Sequence, residues 1–284
     1  MAKKNKRSYI NAELVVAGIA IGIILSAFLV IYGDVATPRL SEFENSDAVA
    51  KIAAVKTDGG GLVGEVSIRL IDGTGKILVT TEPFAEFDTQ QSVQFASQAA
   101  EKLTGKSLEN KDILVSFRIS DAGDSPDAIG GPSAGVSLGV AIAAAMEGLT
   151  VSEDVVMTGT IDENGNIGRV GGVPDKAKAA AESGALLFIA PEGSGNVEYY
   201  QKVTKTYEQG GFTVQKIDYV PKITTLDEYV EQFGMDAIEV STLKEAFVNA
   251  VVEKDLAEQI VDESSSRVFA APASIEYNYA CGDN

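Results

Sequence analysis

Between residues 62 and 71 apolar and polar positions alternate. Val66, Ile68 and Leu70 fall on one side, Glu65, Ser67 and Arg69 on the other. That period of two predicts a half-buried strand. Asp72-Gly73-Thr74-Gly75 then turns the chain into a second strand over 76–81. From Asp88 the period lengthens. Val93, Ala96, Ala100 and Leu103 mark one helical face, Asp88 and Gln91 resemble a capping box, and Gly105 ends the helix. A strand is expected over 113–119, with Val115, Phe117 and Ile119 on one side. The stretch 134–146 is apolar nearly all round, which predicts a buried helix.

Segments 155–161 and 166–170 flank Asp162-Glu163-Asn164-Gly165, a hairpin signal. Pro174 is expected at the first position of the next helix, and Gly184 closes it. Short strands are expected over 186–190 and 212–220. Thr225-Leu226-Asp227-Glu228 caps a short helix, and 241 to about 263 reads as one longer helix. The mixture predicts an α/β domain of the α+β type over 47–263. No internal repeat is seen, and 264–284 lacks a pattern.

Ahead of this domain, Leu14 to Tyr32 is uncharged and almost wholly apolar for nineteen residues. At roughly 1.5 Å per residue it measures about 28 Å, close to the hydrocarbon thickness of a bilayer. A cleaved leader has a shorter core, of about 7–15 residues, and the best nearby cut, after Ala36, would put Asp34 at −3. An uncleaved anchor over 14–32 is therefore expected, with a basic N-terminus over 1–13 and a tether over 33–46. Lys3, Lys4, Lys6 and Arg7 precede the span, while Asp34, Glu42, Glu44 and Asp47 follow it with only Arg39. This bias keeps the N-terminus cytoplasmic and sends the domain outside the cell membrane.

Composition narrows the chemistry. The formal net charge is −18, which argues against nucleic-acid binding. There is no histidine, so neither a Ser-His-Asp triad nor a Cys-His pair can form. With Cys281 the single cysteine, neither a metal nor an internal disulfide is expected. Thr104-Gly105-Lys106-Ser107 ends like a Walker A loop, but Ala100 stands where that motif needs its first glycine. Gly18 and Gly22 show a Gly-x-x-x-Gly spacing within the apolar span.

Gly131-Pro132-Ser133-Ala134-Gly135 puts a serine in a glycine-framed turn at a helix start, where free amides would face a developing oxyanion. Gly131, Pro132 and Ala134 are thus candidates for the oxyanion and substrate site, although Ser133 alone would equally suit an N-cap. Lys176 lies forty-three positions on, in the first turn of a helix, where its charge is unfavourable. Burial and that helix terminus would both favour its neutral, basic form. Lys178 reads as a solvent-facing charge. Thr158, in Met157-Thr158-Gly159, is placed to hold the Lys176 amine toward Ser133.

These residues, with Gly168-Arg169-Val170-Gly171-Gly172 and with Asn196 after Phe188-Ile189-Ala190-Pro191, resemble the proteolytic domain of Lon proteases. The resemblance implies a serine endopeptidase with Ser133 as nucleophile, Lys176 as general base and Thr158 as a positioning residue. It also implies polypeptide substrates, no cofactor and a homo-oligomer, in that family a hexameric ring. About 45 residues precede the domain, too few for the Lon ATPase module. Ile129-Gly130-Gly131-Pro132-Ser133 and Thr158-Gly159-Thr160-Ile161 are most similar to membrane-anchored, ATP-independent Lon-like proteases. Gly130 stands where Lon has an aspartate; Asp124 and Asp127 are nearby. The alternative expectation is a non-catalytic Lon-like assembly or partner-binding module.

Overall fold

The computed structural model describes residues 47–266 apart from 57–58, 82–83, 86, 120–127, 130–131 and 210–211. The expected membrane span, Gly130, Gly131, Asp124, Asp127 and Cys281 all lie outside the described residues. Among those residues no helix is long and apolar enough to cross a membrane.

In chain order the elements are β1 (Asp47–Val55), β2 (Gly61–Asp72), β3 (Ile77–Thr81), β4 (Phe84–Ala85), α1 (Phe87–Thr104), β5 (Lys111–Ile119), β6 (Ala128–Ile129), a 3-10 turn at Pro132–Ala134 and α2 (Gly135–Glu147). Then come β7 (Val155–Met157), β8 (Thr160–Ile161), β9 (Ile167–Gly168), α3 (Val173–Glu182) and β10 (Leu187–Pro191). The last group is β11 (Asn196–Gln209), β12 (Phe212–Thr225), α4 (Leu226–Glu231), β13 (Asp236–Val240), α5 (Leu243–Ala250) and α6 (Lys254–Ser266).

Seven strands form one mixed sheet in the order β13-β10-β7-β1-β2-β5-β3. The expected turn at Asp72–Gly75 is present, but β2 and β3 do not pair. Strand β5 lies between them, antiparallel to β2 and parallel to β3, so β3 becomes a sheet edge. Successive residues of the central strands face opposite ways: Val155 and Met157 join the core that contains α2, while Val156 joins the core that contains α3. Strand β10 repeats this with Ile189 against Phe188 and Ala190. Strands covered on both faces lose polar alternation and read as plain apolar runs.

Helix α1 buries Val93, Ala96, Ala100 and Leu103 as the period requires. It begins at Phe87, which puts Asp88 inside its first turn, where the carboxylate accepts from the Thr89 N–H at 2.8 Å. Every residue of α2 from Gly135 to Met146 is buried. At roughly 1.5–3 kcal/mol for each fully buried Val, Leu or Ile side chain, Val136, Leu138, Val140 and Ile142 anchor this helix firmly. Ser137 Oγ lies 3.1 Å from the Lys51 carbonyl and 3.3 Å from that of Met157, pinning α2 to β1 and β7.

Three further expectations are corrected. The long helix over 241–263 is two helices, because Val251 turns extended and bridges Val151. Pro174 is the second residue of α3, since Val173 precedes it after the Gly172 cap. The final helix also continues to Ser266, past the expected domain limit at 263. All described residues belong to one compact unit.

Candidate active site

Strand β7 runs through the middle of the sheet and ends at Met157. Its next two residues meet the serine turn. The Gly159 N–H donates to the Ser133 carbonyl at 2.9 Å, and the Thr158 hydroxyl donates to the same oxygen at 3.4 Å. In return, the Val136 N–H donates to the Gly159 carbonyl at 3.1 Å. The turn at Pro132–Ala134 is thus stitched to the strand end. Close approach demands Gly135 here, since a Cβ at that position would fall 2.7 Å from the Ile161 nitrogen.

Lys176 arrives from the other face of the sheet. Gly172 caps α3 in the left-handed region, at φ 67°, and its carbonyl accepts from the Lys176 N–H at 3.0 Å. The side chain then runs inward and is only 3% exposed. Its Nζ donates to Thr158 Oγ1 at 3.2 Å. Among the described residues no carboxylate is within ion-pair distance of it, and Asp175 does not pair with it. Desolvation by burial, uncompensated by an anion, lowers the Lys176 pKa from 10.5 to about 8. Lys178, two residues on, is exposed and forms an ordinary i,i+4 pair with Glu182 at 3.8 Å.

Ser133, Lys176 and Pro132 line one cleft of about 370 Å³ with Ala54, Val55, Thr160, Arg169, Val170 and Gly171. Thr158 is fully buried and joins the Lys176 amine to the main chain of the serine turn. Pro132 is exposed and has no N–H, so it can shape the cleft but cannot donate to an oxyanion. Ala134 is buried behind Ser133 as the N-cap of α2, with no side-chain cap. Asn196 is exposed at the start of β11 and is not among the cleft-lining residues. Sequence reasoning missed Ser137 as a support, for which period and motif carry no signal; Gly135, Thr160 and Val170 stand inside the sequence motifs, but the close packing at Gly135 and the cleft walls at Thr160 and Val170 emerge only with the fold. A larger concavity of about 650 Å³ adjoins Asp47 and Leu149–Glu153, but none of its charged residues, Asp47, Lys51, Glu65 and Glu153, is buried.

Residues 32–226 match the family described as the Lon protease (S16) C-terminal proteolytic domain. The chain belongs to the Lon protease family. It is 34% identical over 131 residues to the archaeal Lon protease of Thermoplasma volcanium, covering 46% of this chain and 19% of that one. It is 33% identical over 155 residues to the Lon protease of Syntrophomonas wolfei, covering 54% and 18%. For the archaeal Lon protease of Methanothermobacter thermautotrophicus the figures are 32% over 143 residues, 50% and 20%. The chain thus spans about a fifth of the length of the Lon relatives it matches.

Proposed function

We propose that this chain is a serine endopeptidase in which Ser133 and Lys176 act as a dyad. The observation that carries the reading is a buried lysine with no carboxylate partner among the described residues, its proton affinity lowered, opening on the same cleft as a serine at a helix start. Neutral Lys176 takes the Ser133 hydroxyl proton as Oγ attacks the substrate carbonyl carbon. Amides at the start of α2 hold the oxyanion. The Lys176 ammonium then gives its proton to the departing amine. A water, deprotonated by Lys176, attacks the ester carbon and frees Ser133. Thr158 keeps the amine in place through its hydroxyl.

The same reading makes the enzyme membrane-anchored through 14–32, with the domain outside the cell membrane. It works on unfolded or flexible polypeptides and as a homo-oligomer. Treating the protein with a serine-directed covalent probe, followed by peptide mass mapping, tests it. Labelling is expected at Ser133 and should vanish in Lys176→Ala. Absence of labelling, together with no peptide hydrolysis, would favour a non-catalytic module.

A further inference from the structure

Arg169 stands just after β9, on the segment that leads to the Gly172 cap of α3. It lines the cleft that holds Ser133 and Lys176. The other residues there are apolar or carry a hydroxyl: Ala54, Val55, Pro132, Thr160, Val170 and Gly171. Among the described residues, Arg169 and Lys176 are therefore the only ionisable groups lining the cleft, and no carboxylate lines it.

The guanidinium is placed but uncommitted. A Cβ at Gly193 would fall 2.8 Å from its Cζ and 2.9 Å from its Nε, so it rests against the backbone of the loop after β10. Glu239 holds that loop, its carboxylate accepting from the Gly193 N–H at 2.6 Å. Glu239 does not pair with the guanidinium. Among the described residues Arg169 makes no ion pair and no hydrogen bond. By contrast Arg69 grips Asp47 with Nη2 at 2.7 Å and Nε at 3.0 Å. With 41 acidic residues against 23 basic ones, Arg169 is not left unpaired for want of carboxylates in the chain.

We propose that Arg169 selects peptide substrates that carry a glutamate or aspartate within about two residues of the bond Ser133 attacks. The inference rests on the dyad reading. A guanidinium is a planar fork of N–H donors that matches a carboxylate two bonds at a time. A cleft of about 370 Å³ is roughly 7 Å across, about two residues of extended chain at 3.3–3.6 Å each. A carboxylate bound by Arg169 therefore lies close to the scissile bond. The overall charge of the protein cannot produce such a preference, because a net −18 repels acidic peptides at long range. That repulsion is screened beyond about 10 Å at 0.1 M salt, and inside the cleft the nearer guanidinium decides. Arg169 is exposed, which limits the strength of the pair, so the expected gain is on the order of tenfold in kcat/KM.

The test uses the full chain in detergent and matched peptides with Glu or Gln at the positions flanking the cleavage site, at about pH 8.5 and about 0.1 M salt. The parent should cleave the Glu peptide about tenfold more efficiently than the Gln peptide. Arg169→Gln should bring the two rates level. Arg169→Glu should favour Lys over Gln at the same position, a gain that neither misfolding nor a structural role would produce. Equal cleavage of the Glu and Gln peptides by the parent, or an acid preference that survives Arg169→Gln, would overturn the proposal. Fluorescence anisotropy with Ser133→Ala reads the same preference as binding, without catalysis. Tighter binding of the Glu peptide, abolished by adding Arg169→Gln, in a parent that cleaves neither peptide would refute the dyad and leave the acidic site standing. Cleavage of both peptides alike, with Ser133 labelled by the covalent probe, would do the reverse. Equal binding without cleavage would overturn both.

Discussion

Replacing Lys176 with methionine should make the protein more stable near neutrality while abolishing catalysis. The side chain is 3% exposed and meets no carboxylate among the described residues, so its charged form is held at a cost. A fall in pKa from 10.5 to about 8 corresponds, at about 1.4 kcal/mol per tenfold change in proton affinity, to roughly 3 kcal/mol. Methionine keeps the length of the chain but removes the hydrogen bond to Thr158, a loss of about 1 kcal/mol. A net gain of about 2 kcal/mol is expected at pH 7, equivalent to some 4–8 °C in Tm for a domain of this size. The sign depends on pH. Below about pH 8 Lys176 is charged in both folded and unfolded chains, and the whole penalty is present. Between about 8 and 10.5 the folded chain releases the proton while the unfolded one keeps it, so the parent gains stability as pH rises. By about pH 10.5 the advantage of the variant should be gone. Urea unfolding of both proteins at a series of pH values from 7 to 10.5 measures this. A variant less stable than its parent at pH 7, or a difference that does not change with pH, would refute the reasoning.

Ser133→Ala and Lys176→Ala should each abolish casein cleavage, and the double variant should be no worse, because a dyad acts as a unit; robust cleavage by either single variant rules the pair out. In the parent, kcat/KM should rise with pH about a midpoint near 8, as Lys176 loses its proton, and a profile flat down to about pH 5 counts against Lys176 as base. Gly135→Ala forces a Cβ to 2.7 Å from the Ile161 nitrogen and should destabilise the fold by about 1–3 kcal/mol, read from the urea midpoint. Protease added outside intact cells should reach the domain while Lys3–Arg7 stays protected, and carbonate washing should leave the protein in the membrane fraction; release of a soluble form lacking the residues before about Thr37 would show a cleaved leader instead.

Elements with a strong single period were readable from the chain. The one-sided burial of β2, β5 and α1 and the all-round burial of α2 follow directly from where Val66, Val115, Val93 and Leu138 stand. Long-range choices were not. Nothing near Asp72–Gly75 says that β5 will insert between β2 and β3, because that pairing is decided by residues about 40 positions away. Strand β11 was missed because Lys202, Thr204, Lys205 and Thr206 blur its alternation, and among the described residues it pairs with β12 alone. The break at Val251 arises from a tertiary bridge to Val151 that helical periodicity cannot show. In the site, the positions of Ser133 and Lys176 were legible from glycine-framed turns. The burial of Lys176 and its contact with Thr158 needed the sheet that brings α3 to the end of β7.

That the serine turn is tied to β7, and β7 lies inside the sheet between β1 and β10, bears on how the protein loses activity. Amide protons of β7 and α2 should be the last to exchange with deuterium, whereas those of the β11–β12 ribbon should exchange through local fraying. The cleft is consequently assembled or dismantled with the whole domain. Heat or denaturant should then inactivate the protein along the same curve that unfolds it, with no range of conditions in which a folded but inert species accumulates.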